Sequence, residues 1–306
     1  SGLIQPLSLF CRFMRWKRVV GKKTVFIYSY CANSLNMKEI IPDKLRLHPP
    51  GSVEKMHKQM ISDLKSYWKK DSKSLNLDKV EVVSCSLCGA AAPPLSRALF
   101  LKYRFAYFRC PICTLVYHSP RPKQEYLDRQ YIKGRFSEAF ENLYLPSAEY
   151  RMSTIFRERV EDIILPRLKR GRILDVGCGS GHFLKVAYEY GFDVYGIEPN
   201  PKMVKYAHEK LGLPNILSGV LKDGLYPENY FAAVTIWDVL EHVVRPDKLL
   251  RLIFKYLKPG GWVFAYTENV ESFNVFITEA DSEIFAPDVH LRHYSPQTFC
   301  REFAKA

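Results

Sequence analysis

The stretch Ile173-Leu-Asp-Val-Gly-Cys-Gly-Ser-Gly181 decides the fold, because an apolar strand runs into Asp175 and then into three alternating glycines. Glycine has no Cβ, so it adopts backbone conformations closed to other residues and lets a ligand approach the chain closely. The order D-x-G-x-G-x-G differs from the dinucleotide fingerprint G-x-G-x-x-G, whose helix N-terminus faces a pyrophosphate. An acidic residue beside the loop would repel a phosphate. The stretch therefore predicts a loop for a nucleotide cofactor that is cationic or rich in hydroxyl groups.

The residues after this loop alternate between helical and strand patterns. Helices are predicted at residues 180–190, 201–211 and 246–258, and strands at 192–197, 215–219, 231–237 and 262–267. The strand at 231–237 is nearly all apolar, as expected of a parallel strand buried on both faces. Glu198 follows the strand at 192–197, close to the place where such sheets put a carboxylate on ribose hydroxyls. The pattern predicts an α/β fold with a doubly wound sheet.

The glycine loop resembles motif I of the class I methyltransferases that use S-adenosylmethionine (SAM), and residues 237–244 resemble the segment after their fourth strand. The resemblance covers about residues 150–300 and implies a Rossmann-like methyltransferase sheet. It implies SAM as the cofactor, which carries a sulfonium and an ammonium but no phosphate. The cofactor-binding residues that it implies are Asp175, Gly177, Cys178, Gly179, Gly181, Glu198, Pro199 and Asp238.

Two C-x-x-C pairs form the second strong motif, Cys85-Ser-Leu-Cys88 and Cys110-Pro-Ile-Cys113. Paired knuckles of this kind turn four thiolates toward one tetrahedral zinc ion, and four thiolates leave no open position, so the predicted zinc is structural. Disulfides are the alternative; zinc is favoured because the chain has the pattern of a cytoplasmic enzyme without a secretory leader. The motif resembles the zinc-binding module ahead of the methyltransferase domain in some C-methyltransferases and related sugar-modifying enzymes. His118 is then expected to be an ordinary surface or substrate-facing residue.

Transfer of a methyl group to carbon or oxygen needs a base within hydrogen-bond reach of the acceptor. The candidate catalytic residues are His242, just past the fourth strand, and His290, His293 and Tyr294, in a segment that resembles the family's stretch before a final helix. His290 and His293 could equally orient loops. We expect a small-molecule acceptor, namely a sugar or a nucleotide-linked sugar, methylated at carbon or oxygen.

Asp238, Glu241 and His242 are spaced so that they could share one helical face. In quinone-type O-methyltransferases a similar stretch binds a divalent ion. For this chain a helix cap with a loop contact is the favoured interpretation.

The charge is unevenly distributed along the 306 residues. The net charge of +13 divides into +9 for residues 1–84, +7 for 85–171 and −3 for 172–306. Binding of nucleic acid is therefore a hypothesis about residues 1–171 only, where the net charge is positive. The alternative function is a zinc-ribbon nucleic-acid-binding protein whose SAM-binding-like domain is not catalytic; we favour the enzyme and expect no nucleic-acid partner.

The chain is long enough for more than one domain. The expected organisation is a poorly ordered or non-native extension (1–36), a helical linker (37–84), a zinc-binding module (85–122), a helical connection (123–170) and a methyltransferase domain (171–306). Aromatic and basic residues at 10–18 offer contact with a membrane surface as an alternative role for the extension. The chain ends inside the helix that precedes two closing strands in the family. We therefore expect a domain that is truncated at its C-terminus and whose fifth strand is an exposed edge.

Overall fold

The computed structural model describes residues 14–20, 23–29, 44–70 and 74–306. Its strands are β1 (Met14–Val20), β2 (Lys23–Ser29), β3 (Val80–Glu81), β4 (Phe100–Lys102), β5 (Phe105–Arg109), β6 (Val116–His118), β7 (Arg121–Pro122), β8 (Arg172–Val176), β9 (Asp193–Glu198), β10 (Ile216–Ser218), β11 (Phe231–Trp237), β12 (Leu257–Tyr266) and β13 (Arg292–His293).

Its α-helices are α1 (Lys44–Leu47), α2 (Ser52–Lys65), α3 (Gln124–Ile132), α4 (Arg135–Ala139), α5 (Ala148–Arg151), α6 (His182–Glu189), α7 (Pro201–Leu211), α8 (Pro246–Tyr256), α9 (Phe273–Thr278) and α10 (Pro296–Lys305). Short 3₁₀ turns lie at Leu95–Arg97 and Glu279–Asp281, and π-helical stretches at Phe140–Tyr144, Met152–Phe156 and Arg159–Ile164. None of the helices within these described ranges combines the length and apolar character needed to cross a bilayer.

The main sheet has the strand order β1-β2-β12-β11-β8-β9-β10. Neighbouring strands from β8 to β12 run parallel, and α6, α7 and α8 connect them. The predicted α/β fold with a doubly wound sheet is confirmed. Because the carboxyl ends of parallel strands meet at one edge, the loops after β8, β9 and β11 gather there, which is where such sheets bind their ligands.

The outer edge of β12 is covered. Strand β2 pairs with it in parallel, with residues 24–27 opposite residues 262–265, and β1 pairs antiparallel to β2. The prediction of an exposed fifth strand is therefore wrong, because residues 14–20 and 23–29 of the predicted extension form a hairpin on its edge. An apolar edge strand has free N–H and C=O groups, and the hairpin satisfies them. The rest of segment 1–36, including residues 10–13 of the candidate membrane contact, lies outside the described residues.

The cysteine segment packs onto the main sheet through a second sheet with the order β13-β6-β5-β4. Strand β13 follows β12 in the chain, so this sheet joins residues 292–293 to residues 100–118. Cys85 and Cys113 share one apolar core with Leu174 of β8 and with Phe299 and Phe303 of α10. The cysteine segment and the catalytic sheet are thus parts of one packed body, and the predicted boundary at residue 122 stays a prediction.

Candidate active site

The glycine loop after β8 has the backbone that its sequence predicts. Gly177, Gly179 and Gly181 have φ values of 73°, 55° and 80°, in the left-handed region that favours glycine. A Cβ on Gly177 would lie 2.8 Å from Cγ2 of Val239, whereas a Cβ on Gly179 would meet no atom within 4 Å. The loop is therefore packed against the turn after β11 at Gly177 and borders open space at Gly179.

Glu198 lies at the end of β9 beside that open space and is 6% exposed. Its two carboxylate oxygens accept hydrogen bonds from the N–H groups of Gly179 and Asn200, both at 2.9 Å. Each oxygen keeps a second lone pair for a ligand hydroxyl. Burial raises the pKa of Glu198 to about 7. The Gly179 and Asn200 N–H groups thus hold the carboxylate in one position.

The other predicted cofactor residues surround the same loop. Asp175 accepts a 2.6 Å hydrogen bond from the Thr235 hydroxyl, which ties β8 to β11, and burial raises its pKa to about 7. The N–H of buried Cys178 donates to the Ile197 carbonyl, and half-buried Pro199 follows Glu198. Asp238 follows β11, and its side chain is 46% exposed and 4.0 Å from the guanidinium of Arg159.

Residues 238–244 form a turn rather than a helix. Asp238 has a φ of 55°, whereas Glu241 is buried, so the two carboxylates do not share a helical face. Helix α8 begins at Pro246, which presets a helical φ, and Arg245 is its N-cap. The predicted helix cap is therefore wrong, whereas the predicted loop contact is present, since the Glu241 carbonyl accepts from the Leu291 N–H. Burial, together with the Asp238 carboxylate, raises the pKa of Glu241 well above its usual range.

Two histidines face each other beyond this turn. The ring centroids of His242 and His290 are 4.6 Å apart. Nδ1 of His242 lies 3.0 Å from the Val289 carbonyl, and Nδ1 of His290 lies 2.7 Å from the Ile284 carbonyl. A carbonyl only accepts, so each Nδ1 carries the proton and each Nε2 keeps its lone pair. Burial lowers the pKa of His290 to about 4 and that of His242 well below its usual range, so both rings are neutral at pH 7.

Glu241 lies in the same cluster. Ligand atoms of Glu241, His242 and His290 are within 4.8 Å of one another, and a carboxylate with two neutral imidazoles is a donor set that suits a divalent transition metal. The cluster could therefore either hold a cation or accept a proton.

The two remaining predicted catalytic residues, His293 and Tyr294, lie in different surroundings. His293 is buried between Tyr107, with ring centroids 5.5 Å apart, and Phe285, at 4.7 Å, and it lies 6.3 Å from His290. The Tyr294 hydroxyl instead donates to the buried Glu302 carboxylate at 3.2 Å. The structure thus brings three of the four candidates together and engages the fourth in a contact with α10.

His118 is fully buried, so the expectation of a surface residue is wrong. Strand β6 lies between β13 and β5, and the His118 ring packs against Phe105 and Tyr107 at 5.5 and 5.2 Å. Burial lowers its pKa to about 3. The ring is enclosed because it lies on the face of the sheet that packs against the buried aromatic residues Phe105 and Tyr107.

Residues of the helical connection cover the histidines, and the sequence prediction missed them. The rings of Tyr131 and Phe136 stack at 4.7 Å and stand edge-on to His242 at 6.2 and 5.4 Å. Arg135 lies 3.4 Å from the fully buried Asp288 carboxylate. These residues belong to a segment predicted only as a helical connection, because no motif or spacing in it points to a site.

The sulfur atoms of the two cysteine pairs converge. The Cys85–Cys113 and Cys88–Cys110 Sγ atoms are 3.5 and 3.4 Å apart, and all four sulfurs lie within 4.8 Å of one another. Each pair forms the same turn, in which the N–H of residue 89 or 114 donates to the carbonyl of residue 85 or 110. Zinc–sulfur bonds of about 2.3 Å place tetrahedral sulfurs roughly 3.8 Å apart. The four thiols therefore fit one zinc ion.

Lowering the pH from 6.5 towards about 4 is expected to destabilise the wild type more than a His290→Asn variant. The pKa of His290 falls from 6.5 to about 4 on folding, so its neutral ring contributes stability above pH 6.5 that is lost as the pH falls through this window. The difference can reach about 3 kcal/mol, since one pKa unit corresponds to about 1.4 kcal/mol. The raised pKa values of Asp175 and Glu198 give stability the opposite pH dependence. They do so equally in the wild type and the variant, so their contribution cancels in the difference. Urea unfolding at several pH values tests this, and parallel profiles would contradict it.

Comparison with known proteins identifies the family. A family model described as a methyltransferase domain matches residues 148–306, just over half of the chain. The ubiquinone biosynthesis O-methyltransferase of Bordetella avium is 31% identical over 147 residues, which cover 44% of this chain and 59% of the relative. That of Thiobacillus denitrificans is 31% identical over 160 residues, which cover 48% and 68%.

A SAM-dependent methyltransferase of known structure from Thermotoga maritima has 20% identity and a TM-score of 0.45, and the match covers 59% of this chain and 78% of that one. The chain spans about half to two thirds of the length of the curated relatives it matches. From the family match and the glycine loop with Glu198, the chain belongs to the methyltransferase-domain family of class I SAM-dependent methyltransferases.

Proposed function

We propose that this protein transfers a methyl group from SAM to a hydroxyl oxygen of a small molecule. The observation that carries the proposal is the pair of neutral histidines 4.6 Å apart, His242 and His290, next to a turn that packs on the glycine loop through Val239. SAM supplies an electrophilic methyl group when it is bound, so the chain has only to align the acceptor and accept its proton. The O-methyltransferases among the relatives support oxygen as the acceptor atom.

The loop and the strand ends fit SAM. The Glu198 lone pairs left over from the two backbone N–H groups would accept hydrogen bonds from the ribose hydroxyls. The backbone at Gly179 leaves the space that a side chain would occupy. Asp175, Asp238 and Glu198 place three carboxyl groups at this edge of the sheet, and the sulfonium and ammonium of SAM would favour their ionised forms.

His290 is the proposed base. Its Nε2 would take the acceptor's proton while Nδ1–H stays on the Ile284 carbonyl, and the Glu268 carboxylate, 3.7 Å from Nδ1, would stabilise the resulting imidazolium. A base whose pKa is about 4 suits an acidic hydroxyl. A phenol, with a pKa of about 10 like that of tyrosine, is therefore a better acceptor than a sugar alcohol. The Tyr131 and Phe136 rings support the same choice, since they offer edges and faces to a planar ring.

His290→Asn is expected to lower kcat by about 10²–10⁴-fold, the usual contribution of a general base, while the Kd for SAM changes little. Asparagine can still donate to the Ile284 carbonyl but cannot accept a proton. Labelled SAM offered with catechol-type phenols, quinols and sugar nucleotides measures the transfer. The exposed His57→Asn on α2 is the matched control. Transfer to sugar nucleotides alone, or full activity of His290→Asn, would overturn this acceptor and base.

We also propose that Cys85, Cys88, Cys110 and Cys113 hold one structural zinc ion. The support is the convergence of four thiols at distances that suit tetrahedral sulfur ligands. A closed four-sulfur site has no position for water or substrate, so its role is to hold β5, β6 and their turns together. Metal analysis of the purified protein is expected to give one zinc per chain.

A further inference from the structure

We propose that Arg292 is a positioning residue that couples the zinc knuckle to the turn carrying Glu241 and His242, an inference that rests on the proposed function. Arg292 is 1% exposed. Its Nε donates to the hydroxyl of Ser86, between Cys85 and Cys88, at 3.0 Å. Its other donors reach three carbonyls of the turn, those of Leu240 (2.8 Å from Nη1), Val243 (2.5 Å from Nη1) and Val244 (3.4 Å from Nη2).

The guanidinium depends on both sides of this contact. Arginine stays protonated in proteins, and a buried charge is costly unless hydrogen bonds replace its water. Among residues 46–70 and 74–306, no carboxylate lies within ion-pair distance of Arg292. Neutral oxygens of the knuckle and of the turn therefore solvate it together. If either part moves, buried donors lose their acceptors, which makes the two parts move as one.

The turn is tied to the main sheet at its start, where the Asp238 N–H donates to the Tyr266 carbonyl of β12 at 3.0 Å and Val239 packs against Gly177. It has no regular secondary structure, and the Glu241 carbonyl accepts from the N–H of Leu291, the residue before β13. Strand β13 itself pairs with β6, where Arg292 stands opposite Tyr117. Beyond its first residues, the turn is therefore held by the Arg292 side chain of β13, which pairs with β6 of the cysteine segment, and by the neighbouring Leu291 N–H and Val289 carbonyl.

Arg301 offers a matched comparison. Its Nη1 donates to the carbonyl of Cys113 at 3.2 Å, so it also contacts a knuckle. Arg301 lies on α10, however, and within the described part of the chain it makes no hydrogen bond to the turn. A residue that only anchors the cysteine segment should behave like Arg301. A residue that transmits the state of the zinc site to the turn should not.

Hydrogen exchange of the peptide covering residues 238–244 tests the coupling without any turnover. Arg292→Lys keeps the charge but loses the fork of donors, and we expect about tenfold faster exchange. Removing zinc with a chelator should accelerate exchange of the same peptide in the wild type. It should add little in Arg292→Lys, because both changes disrupt the same contact and their effects are then not additive. In Arg301→Gln the exchange rate of this peptide should equal that of the wild type, and removal of zinc should still accelerate it.

Ser86→Ala removes only the knuckle end of the link and keeps the four cysteines, so it remains informative if Arg292→Lys does not fold. It should retain one zinc per chain and accelerate exchange at 238–244. Additive effects of zinc removal and Arg292→Lys, or equal effects of Arg301→Gln and Arg292→Lys, would overturn the coupling. A failure of the proposed function would look different: SAM titration would show no saturable binding while the exchange pattern stayed as described.

Discussion

Glu198→Ala is expected to weaken SAM binding by about a hundredfold or more. The side chain is the acceptor for the proposed ribose contact, and hydrogen bonds to a charged group contribute about 1.5–3 kcal/mol each. Two ribose hydroxyls would lose their partner together. The substitution also removes the acceptor of the Gly179 N–H and the Asn200 N–H, whose 2.9 Å bonds fix the loop. Isothermal titration with SAM measures the change.

The choice of variants separates charge from shape. Glu198→Gln keeps the shape, but its amide nitrogen would face one of two N–H donors, so we expect an intermediate loss. Glu209→Ala is the matched control, because Glu209 lies on α7 with its side chain 58% exposed in a pair with Lys205. It should bind SAM like the wild type. Binding by Glu198→Ala within about threefold of the wild type would mean that the ribose is held elsewhere.

Much of the catalytic sheet is predictable because its signals are local. The α7 and β11 boundaries fall where the sequence places them, since Pro201 presets the first turn of α7 and the residues of β11 are nearly all apolar. The three glycines predict their own backbone, because few other residues adopt that φ. The cysteine turns are equally local.

The contacts made between distant parts of the chain could not be predicted in this way. Pairing of β2 with β12 joins residues more than two hundred positions apart, and no local pattern specifies which edge a hairpin will cover. No sequence motif marks Arg292, because its partners in the turn are backbone carbonyl groups, which every residue type has. Tyr131 and Phe136 reach His242 only because α3 and α4 fold over it. The sequence predicted which segments carry chemistry, whereas the partners of those segments depend on tertiary packing.

Loss of zinc is the second large effect that we expect. Cys110→Ser, or removal of zinc by a chelator, should lower the unfolding midpoint by about 10 °C or more. Structural zinc contributes on the order of 10–16 kcal/mol in small zinc peptides, and a fraction of that is enough for such a shift in a chain of this size. Calorimetry of the holoprotein before and after chelation measures it.

The size of this effect follows from where the cysteines lie. The pKa of the Cys110 thiol is lowered to about 7, because hydrogen bonds from the N–H groups of Cys113 and Ile112 outweigh the effect of burial, whereas burial raises the pKa of Cys85 to about 11. A bound zinc ion would favour the thiolate at both positions. Without the ion, the thiols of Cys85, Cys110 and Cys113 would remain packed in a core shared with β8 and α10, so the loss of stability should spread to the main sheet instead of staying local. Cys300→Ser, the same change in α10 outside the four-sulfur cluster, is the control and should keep its zinc and its midpoint. An unchanged midpoint after complete zinc removal would show that packing alone holds the cysteine segment.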